Sequence, residues 1–119
     1  MLIAASSANF AGEYADKNFQ NGQAVFQLSL EQTGNNVTIF FSAGYKDGHG
    51  CGPEADGHGK VTRKGMVEFT WEDGNKNAGT GTIARSGDGV TLSLKTTRVK
   101  DSRCVVFYRQ NIRLPKLQK

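Results

Sequence analysis

The sequence has few prolines and cysteines and no long apolar run. Only 2 of its 119 residues are Pro, and its 15 Gly follow no period, which excludes collagen and low-complexity chains. No stretch approaches the roughly 18 to 20 consecutive apolar residues of a membrane-spanning helix, so no membrane span is expected. A hydrophobic content of 37% is too high for a disordered chain. These observations leave one small globular domain.

The sequence also lacks the local signatures of several enzyme classes. It contains no Gly-x-Ser-x-Gly, no His-Glu-x-x-His and no Gly-x-x-x-x-Gly-Lys-Ser/Thr motif. Serine hydrolases, zinc proteases and nucleotide hydrolases of the common types carry these motifs because each motif positions a nucleophile, a metal or a phosphate. The sequence therefore predicts a protein without catalytic activity and without a cofactor.

Charge is unevenly distributed along the chain. Residues 1–94 hold 7 Lys or Arg against 10 Asp or Glu, whereas residues 95–119 hold 8 against 1. A surface of one sign attracts a partner of the opposite sign, although basic residues on edge strands also occur simply as solvated surface. The candidate basic surface consists of Arg98, Lys100, Arg103, Arg109 and Arg113. Nucleic acid is the less favoured partner, because the candidate stacking aromatics Phe107, Tyr108 and Phe40 mostly follow the apolar pattern of a core.

The first eight residues resemble the end of a secretory signal. Residues 1–8 pass from an apolar stretch into small residues, as a signal does near its cleavage site. We expect a signal-peptide remnant or a disordered leader there, followed by one domain at 9–119. This interpretation predicts a periplasmic or secreted protein. The alternative is that Met1 is the natural start of the chain.

The two cysteines, Cys51 and Cys104, lie far apart and form no C-x-x-C motif. One long-range disulfide is the simplest use of them in an oxidising compartment. Such a bond would stabilise the fold by about 4 kcal/mol through the lost freedom of the unfolded chain. The alternative is two reduced cysteines, with Cys104 buried as a small apolar residue.

Apolar and polar residues alternate along most of the chain, which is typical of half-buried β-strands. Turn signals such as Asp88-Gly89 separate the alternating segments. The segments predicted as strands are 23–31, 37–41, 60–63, 66–72, 79–85, 90–95 and 104–109, the last continuing toward Leu114. A long Gly-rich loop is predicted at 44–59, and a helix of one or two turns at most near 15–19. The predicted fold is an all-β, single-domain, antiparallel up-and-down barrel of about eight strands, with a β-sandwich as the alternative.

Three features of the chain resemble small calycin-like barrels of the lipocalin and avidin type. They are Phe10-Ala-Gly-Glu-Tyr14 near the start, the series of hairpins, and Gly79-Thr-Gly-Thr-Ile83. The resemblance is one of pattern over most of the chain. The single Trp71 lies mid-chain and not in an early Gly-x-Trp, so Tyr14 would take the place of the lipocalin tryptophan. No ligand-binding residue is transferred from these families.

The predicted loop 44–59 contains the tetrapeptide Asp-Gly-His-Gly twice and holds both histidines of the chain. Its candidate binding residues are Asp47, His49, Glu54, Asp56 and His58. Two imidazoles and two carboxylates, from Asp47, His49, Asp56 and His58, could bind Zn²⁺, Ni²⁺ or Cu²⁺ on a loop that glycine makes flexible. The alternative is ordinary turn chemistry, for which Asp-Gly and His-Gly steps are common.

These features together predict an exported, monomeric binding protein. A protein partner, for example an extracellular hydrolase that the chain inhibits, would meet the loop 44–59 or the basic C-terminal surface. Long loops in compact domains are often functional, which favours this hypothesis. One alternative is a carrier of a small apolar ligand inside a hollow barrel. The other is a metal-dependent enzyme that uses the His and Asp residues of the loop.

Overall fold

The fold is one eight-stranded antiparallel sheet in a computed structural model that describes residues 9–117. The predicted leader at 1–8 lies outside the described residues. The strands are β1 (Gly12–Phe19), β2 (Ala24–Thr33), β3 (Asn36–Tyr45), β4 (Glu54–Val61), β5 (Val67–Asp73), β6 (Ala78–Ser86), β7 (Gly89–Arg98) and β8 (Ile112–Leu114). Each strand pairs with its neighbour in sequence, so the order in the sheet is β1 to β8. The prediction of an up-and-down barrel of about eight strands is confirmed.

The first and last strands bring the sheet back onto itself. Tyr14 of β1 forms an isolated bridge with Lys116, and the Ala15 amide donates to the Pro115 carbonyl at 3.0 Å. Because β8 has only three residues, the rest of the seam has no strand on one side. Side chains cover that part: Phe107 stacks on Phe19 at 5.9 Å between ring centroids. The barrel is therefore nearly closed.

The alternation predicted from the sequence places large apolar side chains inside the barrel. Val37, Ile39 and Phe41 of β3 are at most 2% exposed, while Phe40 between them points outward. Aromatic rings meet across the interior, with Phe41 5.5 Å from Trp71. The buried aromatic residues are Phe10, Tyr14, Phe19, Phe26, Phe41, Phe69, Trp71, Phe107 and Tyr108. Among the described residues, no helix is long and apolar enough to cross a bilayer.

Glycines on both sides of β5 make room for its two large rings. Gly59 of β4 and Gly81 of β6 lie directly opposite Phe69 in the sheet. A Cβ atom on Gly59 would lie 2.2 Å from the Glu68 carbonyl oxygen, and one on Gly81 would lie 2.4 Å from the Phe69 ring. Gly57 and Gly79 flank Trp71 in the same way. Glycine is required at these positions because the neighbouring backbone or ring occupies the space of a side chain.

The predicted loop at 44–59 is wrong over half of its length. The structure has a loop at 46–53 only, because β3 continues to Tyr45 and β4 begins at Glu54. The inward residues of the missed strand are Ala55, Gly57 and Gly59, which are too small to produce an apolar alternation. The large rings opposite Gly57 and Gly59 belong to β5, so the sequence of β4 alone carries no strand signal. Of the predicted strand 60–63, only residues 60 and 61 lie in a strand, because β4 ends at Val61.

Two further local predictions are wrong. The segment 104–109 is not a strand: Ser102–Phe107 is a 3₁₀ helix, and its buried residues are Cys104 and Phe107. A 3₁₀ helix has three residues per turn, so residues three apart, such as Cys104 and Phe107, lie on the same side of it. The apolar residues between them hide this period in the sequence. The Asp101 side chain caps the helix by accepting from the Arg103 amide at 3.0 Å. The second error is the helix near 15–19, which is the second half of β1.

Candidate functional site

One end of the barrel carries most of the residues that the sequence analysis selected. In an up-and-down barrel the connections β1–β2, β3–β4, β5–β6 and β7–β8 all lie at the same end. A disulfide between Cys51 and Cys104 joins the loop 46–53 to the 3₁₀ helix there, and the two residues are 4% and 0% exposed. We call this surface, formed by loop 46–53 and residues 98–109, the disulfide-bonded end.

A buried cluster of polar residues around Asp73 and Asn77 stabilises the disulfide-bonded end. The Asp73 carboxylate accepts hydrogen bonds from the backbone and side-chain nitrogens of Asn77, both at 2.9 Å, and from the Tyr108 hydroxyl. The Asn77 side-chain oxygen accepts in turn from the amides of Lys100 and Asp101, at 2.6 and 2.9 Å. Asn77 is fully buried. These bonds hold the β5–β6 turn against the start of residues 98–109, so that segment has a defined position.

The environment of Tyr108 keeps its hydroxyl protonated. Burial raises the pKa of Tyr108 far above its ordinary value, and its hydrogen bond to Asp73 adds to the shift. The Tyr108 hydroxyl donates its hydrogen bond to the Asp73 carboxylate. This group is structural, because its hydroxyl already has a partner inside the barrel.

The loop holds the first histidine by local contacts. The Asp47 carboxylate accepts from the His49 amide at 3.0 Å and contacts the His49 ring nitrogen Nδ1. The Tyr45 ring stacks on His49 with centroids 4.1 Å apart. The hydrogen bond from the His49 amide, followed by that from the ring, lowers the pKa of Asp47. The first Asp-Gly-His-Gly copy is thus an ordered turn at the rim of the disulfide-bonded end.

The second histidine lies elsewhere. Glu54, Asp56 and His58 are exposed outward residues of β4, with Asp56 opposite Phe40 of β3 and Glu72 of β5. His58 is four residues into the strand from Glu54, which separates it by about 13 Å from the start of β4. The structure therefore splits the candidate binding loop in two, with Asp47 and His49 at the barrel end and the others on the barrel wall.

The structure does not bring the four predicted metal ligands together. Within residues 9–117, the one set of three or more His, Cys, Asp or Glu ligand atoms close enough for a single ion is that of Cys51, Asp101 and Cys104. Both sulfurs of that set are in the disulfide, so they offer no thiolate. Its carboxylate is bound by the Arg103 guanidinium, with Nη2 2.7 Å from an Asp101 oxygen. This arrangement is a capped, ion-paired helix start.

Four of the five candidate basic residues reach the disulfide-bonded end. Arg98 donates to Glu72 at 2.8 Å, and the Arg109 guanidinium lies 4.4 Å over the Phe19 ring. The side-chain hydrogen bond from Arg103 lowers the pKa of Asp101. Arg113 is separate, because it lies on β8 opposite Thr91 toward the other end of the barrel. The basic C-terminal segment is therefore not one continuous surface.

Two exposed valines complete the disulfide-bonded end, and the sequence analysis did not single them out. Val99 is 45% exposed and Val105 39%, next to the basic residues Lys100 and Arg103. The sequence pattern placed Val105 in a predicted strand at 104–109, where the structure has the 3₁₀ helix. The pair Asp101-Ser102 favours a helix start over a strand and is a sequence signal for the 3₁₀ helix, but it does not indicate which valines are exposed.

Comparisons with protein-family models, curated proteins and solved structures each give no match for this chain. The resemblance to calycin-like barrels stays a prediction.

Proposed function

We propose that this protein is an exported binding protein without catalytic activity, and that it contacts a protein partner through the disulfide-bonded end. The observation that supports this proposal is the Cys51–Cys104 disulfide. It joins the two segments for which the sequence predicted partner binding, a loop and a basic stretch, into one surface. Disulfides are typical of exported proteins, so the compartment that we propose is the periplasm or the extracellular space.

The composition of this surface favours a protein partner. Protein contacts usually combine exposed apolar residues with arginine and polar residues around them. Val99 and Val105 are exposed and close in sequence to Lys100 and Arg103, so an apolar partner surface with acidic residues at its rim would be complementary. The disulfide and the Asp73 cluster order both segments before binding, which lowers the entropy cost of association. An extracellular hydrolase with an acidic cleft is one such partner.

The two alternative functions find less support in the packing. A carrier of an apolar ligand needs interior space, whereas nine aromatic residues are buried in this structure and several meet in the interior, such as Trp71 and Tyr108 with centroids 4.6 Å apart. A metal-dependent enzyme would need Asp47, His49, Asp56 and His58 around one ion. These side chains lie on two different parts of the barrel.

The test is affinity capture of a partner from the exported protein fraction of the source cells. Three chains are immobilised and compared. The wild-type chain is compared with Lys100→Glu/Val105→Glu at the disulfide-bonded end. The control variant is Arg63→Glu/Lys64→Glu, which makes the same kind of change in the β4–β5 turn at the opposite end. We expect wild type and control to retain the same protein and the first variant to lose it. Equal capture by all three chains would disprove the assigned surface.

A further inference from the structure

Phe40 is an exposed aromatic residue in the middle of the barrel wall. It is 40% exposed, and it lies opposite Ser29 of β2 and Asp56 of β4. Two shallow depressions of the wall meet at its ring. One is lined by Leu117, which is 39% exposed, and the other by Asp56 and Trp71. Phe40 is an unusual outward residue, because the other exposed positions of its strand are polar.

The charge around Phe40 is opposite to that of the chain as a whole. Eight outward positions surround Phe40 on β2, β3 and β4: Gln27, Ser29, Glu31, Thr38, Ser42, Glu54, Asp56 and His58. Three of them are carboxylates and none is Lys or Arg, although the net charge of the chain is +4. Among the described residues, no ion pair is found for Glu31, Glu54 or Asp56. The carboxylates beside the ring are therefore available to a partner.

We propose that this surface, which we call the Phe40 face, binds a cationic segment of a second protein partner, one that carries Arg or Lys beside an apolar residue. Directly opposed outward residues of antiparallel strands have Cβ atoms about 5 Å apart, so a guanidinium stacked on Phe40 also reaches the Asp56 carboxylate. The depression beyond Asp56 is lined by Glu54 and Glu72, and it takes a neighbouring basic or apolar side chain. An acidic segment would meet repulsion from the same carboxylates.

The Phe40 face is distinct from the disulfide-bonded end, and the inference does not depend on the function proposed for that end. The ion pair between Glu72 and Arg98, 2.8 Å apart, lies on the boundary of the two surfaces. On the Phe40 face the exposed apolar residues are bordered by carboxylates, and at the disulfide-bonded end they are bordered by basic residues. A protein with both surfaces could hold two partners of opposite charge at once.

The experiment titrates the full chain with the peptide acetyl-Gly-Arg-Leu-Arg-Gly-amide. The acidic twin peptide, with Glu in place of both Arg, is the control ligand. Binding is followed by calorimetry and by the fluorescence of Trp71, the single tryptophan of the chain, which lines one of the two depressions. The variants are Phe40→Ser/Asp56→Asn and, as a matched change on the same outer wall, Glu68→Gln. All three altered residues are exposed, and unchanged melting temperatures would confirm that the variants fold.

We expect the basic peptide to bind weakly to wild type, to lose affinity in high salt, and to lose about tenfold in affinity with Phe40→Ser/Asp56→Asn but little with Glu68→Gln. The acidic twin should not bind. Equal binding of both peptides, or full retention of affinity in the double variant, would overturn the proposal. So would a Phe40-dependent self-association of the chain without peptide binding, because the occupant would then be a second copy.

Discussion

The tetrapeptide Asp-Gly-His-Gly occurs twice in this chain, and its two copies adopt different structures. The copy at 47–50 is a turn in which Gly48 and Gly50 have positive φ angles of 81° and 71°. The copy at 56–59 is extended in β4. In the first, the Asp side chain binds the backbone of its own His; in the second, Asp56 and His58 point outward on the barrel wall.

The difference comes from what lies across from each copy. The glycines of the second copy lie opposite Trp71 and Phe69 of β5, and a Cβ atom on either would clash with a carbonyl oxygen of β5, at 2.4 Å for Gly57 and 2.2 Å for Gly59. The first copy has no strand opposite it, so its glycines adopt the left-handed conformation that a tight turn needs. Identical local propensities therefore produce a turn or a strand according to the tertiary neighbour.

Removal of the disulfide should have the largest effect of the changes that distinguish the two copies. Replacing Cys51 and Cys104 by Ala should lower the free energy of unfolding by about 4 kcal/mol, because the unfolded chain gains loop freedom. Urea denaturation measures this loss. Hydrogen exchange should accelerate in the first copy and much less in the second, which the sheet still holds. Equal acceleration in both copies would show that the disulfide orders the wall as well as the loop.

Alanine at the last glycine of each copy should separate the two structures directly. Gly59→Ala places a Cβ atom 2.2 Å from the Glu68 carbonyl oxygen, so about 3 kcal/mol of destabilisation is expected. Gly50→Ala meets nothing closer than the Tyr45 ring at 3.7 Å and costs about 1 kcal/mol for its positive φ. Thermal and urea unfolding provide both values. Equal losses would mean that the second copy is not packed beneath Phe69.

The carboxylate of the first copy should respond to acid in a defined direction. The hydrogen bonds from His49 lower the pKa of Asp47 below its reference value of 3.8. Because the folded pKa is the lower one, Asp47 stabilises the fold fully above about pH 4, and the contribution disappears as the pH falls through the folded pKa. Carbon-detected NMR titration of the Asp47 side chain measures the shift. A midpoint above 3.8 would contradict the hydrogen-bonded turn.

The smallest effect is expected from added zinc. Because His49 and His58 lie on different parts of the barrel, one ion should not connect the two copies. The shift in melting temperature on adding Zn²⁺ should then be small and should not depend on having both histidines. Thermal unfolding of wild type, His49→Ala and His58→Ala tests this. A large shift that either substitution abolishes would require the copies to meet around the metal.

The sequence predicted well a strand such as β3, in which large inward residues alternate with polar ones. Val37, Ile39 and Phe41 alternate with polar residues, and the structure buries all three. The prediction failed at β4, because Gly57 and Gly59 carry no apolar signal and the ring that packs on them, Phe69, belongs to β5. At the candidate site, the disulfide was predictable because the chain has only two cysteines. The exposure of Val99 and Val105 was not predictable, since it depends on how residues 98–109 lie on the barrel end.

The sequence by itself determined the all-β class and the series of hairpins, because a two-residue period and hairpin turns are local properties of the chain. The tertiary structure alone decided which Asp-Gly-His-Gly copy became a strand. It also decided which carboxylates, supplied by the strands on either side, surround Phe40, whose outward direction the alternation in β3 already indicates. These outcomes depend on strand register and on rings from other strands, so they arise only when residues distant in sequence come together.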